Sequence, residues 1–165
     1  MAYSGPTRSA WQRLNIRLAR TPLGAWAYAR ILHHVDRAAY RLTGGRYTAA
    51  ELFTGLSLVW LTTRGARSGL ARTLPLVGTP DGDRIILIAS NWGQNRHPAW
   101  FHNLRAHPQV TAIWRGRPGT YLARQVEGEE YTACWAKALA NYPGYADYRQ
   151  RTTRAVIPVF VLEPR

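Results

Sequence analysis

The sequence predicts an α+β protein: an antiparallel sheet of about six strands that closes into a small barrel, with helices packed outside it. Three observations predict this class. From residue 56 onward, short apolar runs follow one another with turn residues between them. Their spacing is that of hairpins rather than of strand-helix-strand units, which argues against a parallel doubly wound sheet. Segments with a helical apolar period precede and interrupt these runs.

Residues 1–47 form a basic helical extension that we separate from a barrel domain at 48–165. They hold eight arginines and one acid. Trp11, Leu14 and Leu18 form an apolar stripe, and a basic stripe runs beside it. A second helix is predicted from Thr21-Pro22 to the glycine pair at 44–45. These helices either pack on the barrel or lie on an anionic membrane surface.

The barrel domain contains the remaining predicted elements. The predicted strands are 57–63, 71–80, 84–90, 109–116, 119–128 and 155–164. An Asp-Gly-Asp turn at 81–83 joins the second strand to the third, which places Ser90 beside the loop that precedes the second strand. An Arg-Pro-Gly turn is predicted to join the fourth and fifth strands. One helix begins at Pro98, and another covers 128–143.

Composition limits the function. The chain has 22 basic and 9 acidic residues, a net charge of +13, which favours an anionic partner. The lone Cys134 excludes an intramolecular disulfide and a cysteine zinc site, and His97 and His102 have no acidic neighbour, so we expect no metal. We expect no nucleic-acid partner, because no such motif is present. The absence of an apolar span or a secretion signal predicts a cytoplasmic protein. Peripheral contact at the inner face of the cell membrane is expected only if the basic helices of residues 1–47 lie on the membrane surface.

Two segments are candidates for a binding site. The loop in "TTRGARSGLARTLPL" (62–76) combines glycines, which expose backbone N–H groups, with arginines suited to phosphate or carboxylate. An ordinary solvated hairpin loop explains it equally well. The segment "SNWGQNRHPAWFHNL" (90–104) carries amides for the edge of a planar heterocycle and two tryptophans for its face. For Trp100 alone, a buried anchor of the short helix is the better interpretation.

These segments, with "YPGYADYRQRTTRAVIPVFVLEP", resemble the deazaflavin-dependent nitroreductase family over about residues 55–164. The resemblance implies a split β-barrel and the reduced deazaflavin coenzyme F420, with FMN as the alternative. It implies hydride transfer to a quinone, enone or nitro compound. A non-catalytic anion-binding or membrane-surface module remains the other alternative, and a homodimer is expected.

The resemblance also implies site residues. Those implied for the coenzyme are Arg64, Arg67, Ser68, Gly69, Arg72, Thr73, Pro75, Ser90, Asn91, Trp92, Gly93, Gln94, His97, Pro98, Ala99, Trp100 and Asn103. The acceptor pocket is implied at Tyr142, Tyr145 and Tyr148, with Tyr142, Tyr148 or Ser90 as proton donor. The chain departs from the family pattern in two places. Ala66 replaces a basic residue, for which Arg64 is the candidate substitute, and Trp92 replaces a glycine.

Overall fold

The computed structural model describes residues 9–21 and 55–165. In the first range, α1 (Ala10–Arg20) confirms the first predicted helix. The Ser9 hydroxyl accepts a bond from the Gln12 N–H, and the Gln12 side chain accepts one from the Ser9 N–H, so two N–H groups at the helix start are satisfied. The second predicted helix and the proposed domain boundary after residue 47 lie outside the described residues.

Seven strands form one antiparallel sheet in the order β2-β1-β5-β6-β7-β4-β3. They are β1 (Leu58–Arg64), β2 (Ala71–Val77), β3 (Thr79–Asp81), β4 (Arg84–Ile88), β5 (Gln109–Trp114), β6 (Arg117–Val126) and β7 (Val159–Pro164). Val59 of β1 and Ile85 of β4 share one buried cluster although three strands separate β1 from β4. The sheet must therefore curl around that cluster, and the predicted antiparallel split barrel is confirmed.

The predicted second strand, 71–80, is wrong because it is two strands. Its first part, β2, pairs with β1, and only β3 pairs with β4 across the Asp-Gly-Asp turn. The break falls at Gly78, whose N–H donates to the Ser57 carbonyl at 3.0 Å. A Cβ at Gly78 would lie 2.4 Å from the Trp114 ring, so glycine is needed for the chain to pass this ring. Consequently strand pairing does not bring Ser90 beside the arginine loop.

The turn between β5 and β6 also differs from the prediction. It consists of Arg115 and Gly116, both with positive φ (51° and 74°), and Trp114 pairs with Arg117. This is the two-residue hairpin geometry whose twist matches that of the flanking strands. The Arg-Pro-Gly sequence lies in β6 instead, with Pro118 opposite Ile113.

Strands β4 and β7 are buried on both faces. Ile85, Leu87, Phe160 and Leu162 face the barrel interior. Their neighbours along the strands pack against helices on the other face. These neighbours are Ile86, Ile88, Val159 and Val161.

Within residues 55–165, three α-helices accompany the sheet: α2 (Ala99–Ala106), α3 (Gly128–Asn141) and α4 (Gly144–Arg151). Helices α2 and α3 confirm the two predictions, each within two residues of its predicted end. Helix α4 was not predicted, because four of its eight residues are charged or carry an amide and no apolar period marks it. Among residues 9–21 and 55–165, no helix combines the length and apolarity required to cross a membrane.

Candidate functional site

The hairpin loop between β1 and β2 presents three arginines to solvent. The Gly65 N–H donates to the Leu70 carbonyl and the Gly69 N–H to the Gly65 carbonyl, both at 2.8 Å. Gly69 has φ +67°, a conformation that favours glycine, and a Cβ at Gly65 would lie 2.4 Å from the Ser68 Oγ, so a larger residue at 65 would have to displace that side chain. The side chains of Arg64, Arg67 and Arg72 are exposed, and none forms an ion pair within the described ranges.

Asn103 of α2 fixes this loop to the barrel. Its Oδ1 accepts the Ala66 N–H at 2.9 Å, and its Nδ2 donates to the Thr63 Oγ1 at 3.0 Å. Asn103 is buried. Its amide is thus engaged in joining β1, the loop and α2, and the Ala66 N–H is not offered to an anion. The arginine loop therefore contacts the segment 90–104 through Asn103 of α2, and not through Ser90 by strand pairing as expected.

The start of that segment is an unusual turn. Asn91, Trp92 and Gly93 have φ values of 48°, 59° and 80°, three left-handed residues in succession. A Cβ at Gly93 would lie 3.0 Å from the Tyr148 carbonyl oxygen, so only glycine allows the turn to pack this closely on α4. Trp92 is 48 % exposed, and its ring contacts Tyr148 edge-on with 6.0 Å between centroids. The left-handed backbone explains why glycine suits this position.

The polar side chains of the turn bond mainly to one another. Asn91 Nδ2 donates to Gln94 Oε1 at 3.2 Å and to the Arg96 carbonyl at 3.0 Å. Arg96 Nε donates to the same Gln94 oxygen at 3.1 Å. Trp100 lies in the interior cluster, edge-on to Phe160, so it is the buried anchor that was one of the two interpretations of its sequence position.

Arg154 holds the segment in place, although no role was predicted for it. Its guanidinium donates to the Ala89 carbonyl (3.0 Å), the Ser90 carbonyl (2.6 Å) and the Thr152 Oγ1 (3.1 Å). It also lies 3.1 Å from His97 Nδ1, which must accept because a guanidinium only donates. The only sequence signal is an arginine just before an apolar strand, which does not distinguish it from the other arginines.

His97 is neutral in this arrangement. Burial, together with the positive charge of Arg154 and the nearby His102 and Arg105, lowers the pKa of His97 below its usual 6.5. Its ring stacks on Phe101 with 4.2 Å between centroids. His97 is thus held between Phe101 and Arg154, the residue that bonds to the Ala89 and Ser90 carbonyls. No group of three or more His, Cys, Asp or Glu side chains within 9–21 and 55–165 is arranged to hold a metal ion.

The three tyrosines predicted to line the acceptor pocket lie together under α3 and α4. Tyr142, Tyr145 and Tyr148 are buried, and the hydroxyls of Tyr142 and Tyr148 are 3.1 Å apart. Burial raises the pKa values of Tyr145 and Tyr148 well above their usual range. These hydroxyls stay protonated at neutral pH and so retain the proton that a donor needs. Contact between these tyrosines and an acceptor stays a prediction.

A split barrel with an exposed arginine hairpin, joined by α2 to an aromatic turn, is the architecture expected of a flavin or deazaflavin oxidoreductase. Residues 32–164 match the family described as F420H(2)-dependent quinone reductase, and the chain belongs to this family. The resemblance to deazaflavin-dependent reductases inferred from the motifs is confirmed.

The relatives agree with this assignment. An F420H(2)-dependent quinone reductase of Mycobacterium tuberculosis is 35 % identical over 131 residues, which are 78 % of this chain and 87 % of that protein. A solved F420-H2 dependent reductase, FDR-A, is 37 % identical, with a TM-score of 0.60 over 64 % of this chain and 93 % of that one. A third protein, solved as a domain-swapped dimer, is 32 % identical, with a TM-score of 0.63 over 79 % and 98 %.

Proposed function

We propose that this protein is an oxidoreductase that uses reduced coenzyme F420 to reduce quinones. The observation that carries the proposal is the arginine hairpin: three exposed guanidinium groups without ion pairs on the described chain, on a loop fixed by Asn103. This donor set fits the phosphate and carboxylates of the coenzyme, since guanidinium forks match both anions. The family is named for quinone reduction, and enones and nitro compounds are further acceptors of the same activated kind.

The residues of the chain divide the work. Arg64, Arg67, Ser68 and Arg72 bind the anionic part of the coenzyme. Residues 93–103, fixed by the contact of Arg154 with His97, form the surface for its ring. When bound, the reduced deazaflavin supplies a hydride to the acceptor. The protein orients the two partners and keeps water away from them.

A proton must also reach the reduced acceptor. Ser90 is the first candidate, because its side chain is buried at the end of β4 and forms no hydrogen bond with the described residues. The Tyr142–Tyr148 hydroxyl pair is the second candidate. We expect Ser90→Ala to lower kcat without changing coenzyme affinity. If Ser90→Ala, Tyr142→Phe and Tyr148→Phe all left turnover unchanged, none of these hydroxyls would be the donor.

Coenzyme binding is tested by fluorescence titration of the full chain with F420 and, separately, with FMN. We expect micromolar or tighter binding of F420. Loss of one phosphate contact in Arg67→Ala or Arg72→Ala should weaken it by roughly 1.5–3 kcal/mol, about 10- to 150-fold. Arg117→Ala, at an exposed position in the β5–β6 hairpin, is the control. Binding of FMN but not F420 would contradict the proposal, and an unchanged affinity in both loop variants would move the anion site elsewhere.

The N-terminal helix supports a peripheral membrane location. Trp11, Leu14 and Leu18 of α1 are 58 %, 49 % and 51 % exposed, and Arg17 lies on the same helix. An exposed apolar stripe on a chain with a net charge of +13 is complementary to an anionic lipid surface, where quinones also dissolve. The helix would thereby bring a cytoplasmic enzyme to its acceptor.

Vesicle sedimentation tests this location. The full chain should pellet with vesicles of anionic lipid and not with purely zwitterionic ones. Replacing Trp11, Leu14 and Leu18 together by serine should abolish pelleting. A second copy is the other occupant of the stripe, and one solved relative is a dimer. If the serine variant still pellets but changes from dimer to monomer in light scattering, the stripe is a self-association surface instead.

A further inference from the structure

Trp92 occupies a backbone conformation that disfavours it. Its φ of 59° lies in the left-handed region. Glycine, asparagine and aspartate adopt this region readily, whereas residues with bulky side chains rarely do. Asn91 before it tolerates this region, and Gly93 after it is unrestricted. Trp92 is therefore the one residue of the turn whose side chain is disfavoured by its own backbone conformation.

Packing does not compensate for this strain. About half of the Trp92 side chain remains exposed, and its one aromatic contact is the edge-on approach to Tyr148. Most other large apolar side chains around the turn are buried, among them Trp100 and Phe101. The presence of a strained and exposed tryptophan is explained poorly by a contribution to the stability of the fold and well by contact with a ligand.

The two ends of the segment 90–103 contact different parts of the protein. At its far end, Asn103 bonds to the arginine hairpin, the proposed anchor of the coenzyme. At its near end, Gly93 and Trp92 pack on α4. Arg151 of α4 places its guanidinium 5.8 Å from the centroid of the Tyr148 ring that Trp92 contacts. The exposed indole thus sits at the end of the segment away from the proposed phosphate site, and it contacts the same Tyr148 ring as the Arg151 guanidinium.

We propose that Trp92 is a stacking surface for the flat ring of the acceptor and so a specificity-determining residue. This inference rests on the proposed function, because it presumes that a quinone is reduced at this site. An electron-poor quinone ring stacks favourably on the electron-rich face of an indole. The charge of Arg151 favours the negative charge that reduction places on the quinone oxygens.

The experiment compares Trp92→Gly with Trp92→Phe, using menadione as the quinone. Menadione binding is measured by calorimetry, both to the protein alone and with oxidised F420 bound. Trp92→Gly should weaken menadione binding about 3- to 10-fold, the range for loss of one aromatic pair, while Trp92→Phe keeps most of it. The dissociation constant of F420 should change less than about twofold.

Thermal unfolding supplies an independent readout. Because glycine is at ease with positive φ, the Tm of Trp92→Gly should rise by about 1–4 °C. The matched control is Arg115→Gly, at the exposed β5–β6 turn, where φ is also positive at 51°. It relieves the same kind of strain and should leave menadione binding unchanged.

Three results would overturn the inference. A fall in Tm for Trp92→Gly would mean that packing explains the tryptophan. Weaker F420 binding with unchanged menadione binding would place Trp92 in the coenzyme site. If neither the menadione affinity nor the F420 affinity changed, Trp92 would contact neither ligand. Failure of the proposed function is a separate result: the unaltered protein would then not bind F420, and menadione binding to the protein alone would still decide the role of Trp92.

Discussion

Replacing Arg154 by alanine should loosen the segment that we assign to the coenzyme ring. The change removes four guanidinium hydrogen bonds, two of them to the carbonyls of Ala89 and Ser90. Ala89 is fully buried, so its carbonyl would lose a partner that water does not easily replace. A hydrogen bond from a charged group contributes about 1.5–3 kcal/mol, and Arg154 is only half-buried, so we expect a net loss of about 2–3 kcal/mol.

Urea unfolding followed by tryptophan fluorescence measures this loss, with the exposed Arg117→Ala as control, which should change stability by less than about 0.5 kcal/mol. The same measurement has a pH signature. The lowered pKa of His97 means that the unfolded chain binds its proton more readily than the folded protein. Stability should thus decline as pH falls below about 6.5. His97→Gln should flatten this decline. A loss below about 0.5 kcal/mol for Arg154→Ala would refute the positioning role.

Two further predictions concern other contacts. Asn103→Ala leaves the Ala66 N–H without its partner, so it should cost about 1–3 kcal/mol and weaken F420 binding, and unchanged affinity would show that the loop holds its shape alone. The second concerns Asp81, where burial acts to raise the pKa but hydrogen bonds from Lys137 and Arg84 bring it below 3.8. Its stabilising effect is present above that pH and lost on further acidification. Asp81→Asn should therefore remove part of the acid dependence below about pH 4 in unfolding experiments, and an unaltered acid limb would contradict this.

The sheet could be predicted where side chains alone carry the signal. Alternating or continuous apolar runs marked the positions of β1, β4, β5, β6 and β7. The division between β2 and β3 could not be foreseen, because the need for glycine at Gly78 comes mainly from the Trp114 ring, 36 positions later. Helix α4 was not predicted for a different reason. Its two buried tyrosines stand among charged and amide residues, and they pack in the cluster that includes residues of β4 and β7.

The candidate site could likewise be predicted only in part. The arginine hairpin was visible because its residue types suffice to describe it, and the structure leaves those arginines exposed. The connections between segments were not visible. Asn103 was interpreted as a ligand contact, yet its amide bonds to Thr63 and Ala66, and Arg154 went unassigned. Such roles depend on distances between residues far apart in the chain, and residue type does not encode them.

The left-handed turn at Trp92 has a consequence for how this chain would evolve. Tryptophan is encoded by a single codon, and one base change in its first position gives glycine. The residue that the backbone prefers is therefore one of the few residues that a single base change can introduce here. In a random library selected only for resistance to heat, position 92 should drift to glycine early. In a library selected for quinone reduction, position 92 should remain tryptophan. Sequencing the survivors of both selections would therefore distinguish the requirement of the fold at this position from the requirement of acceptor binding.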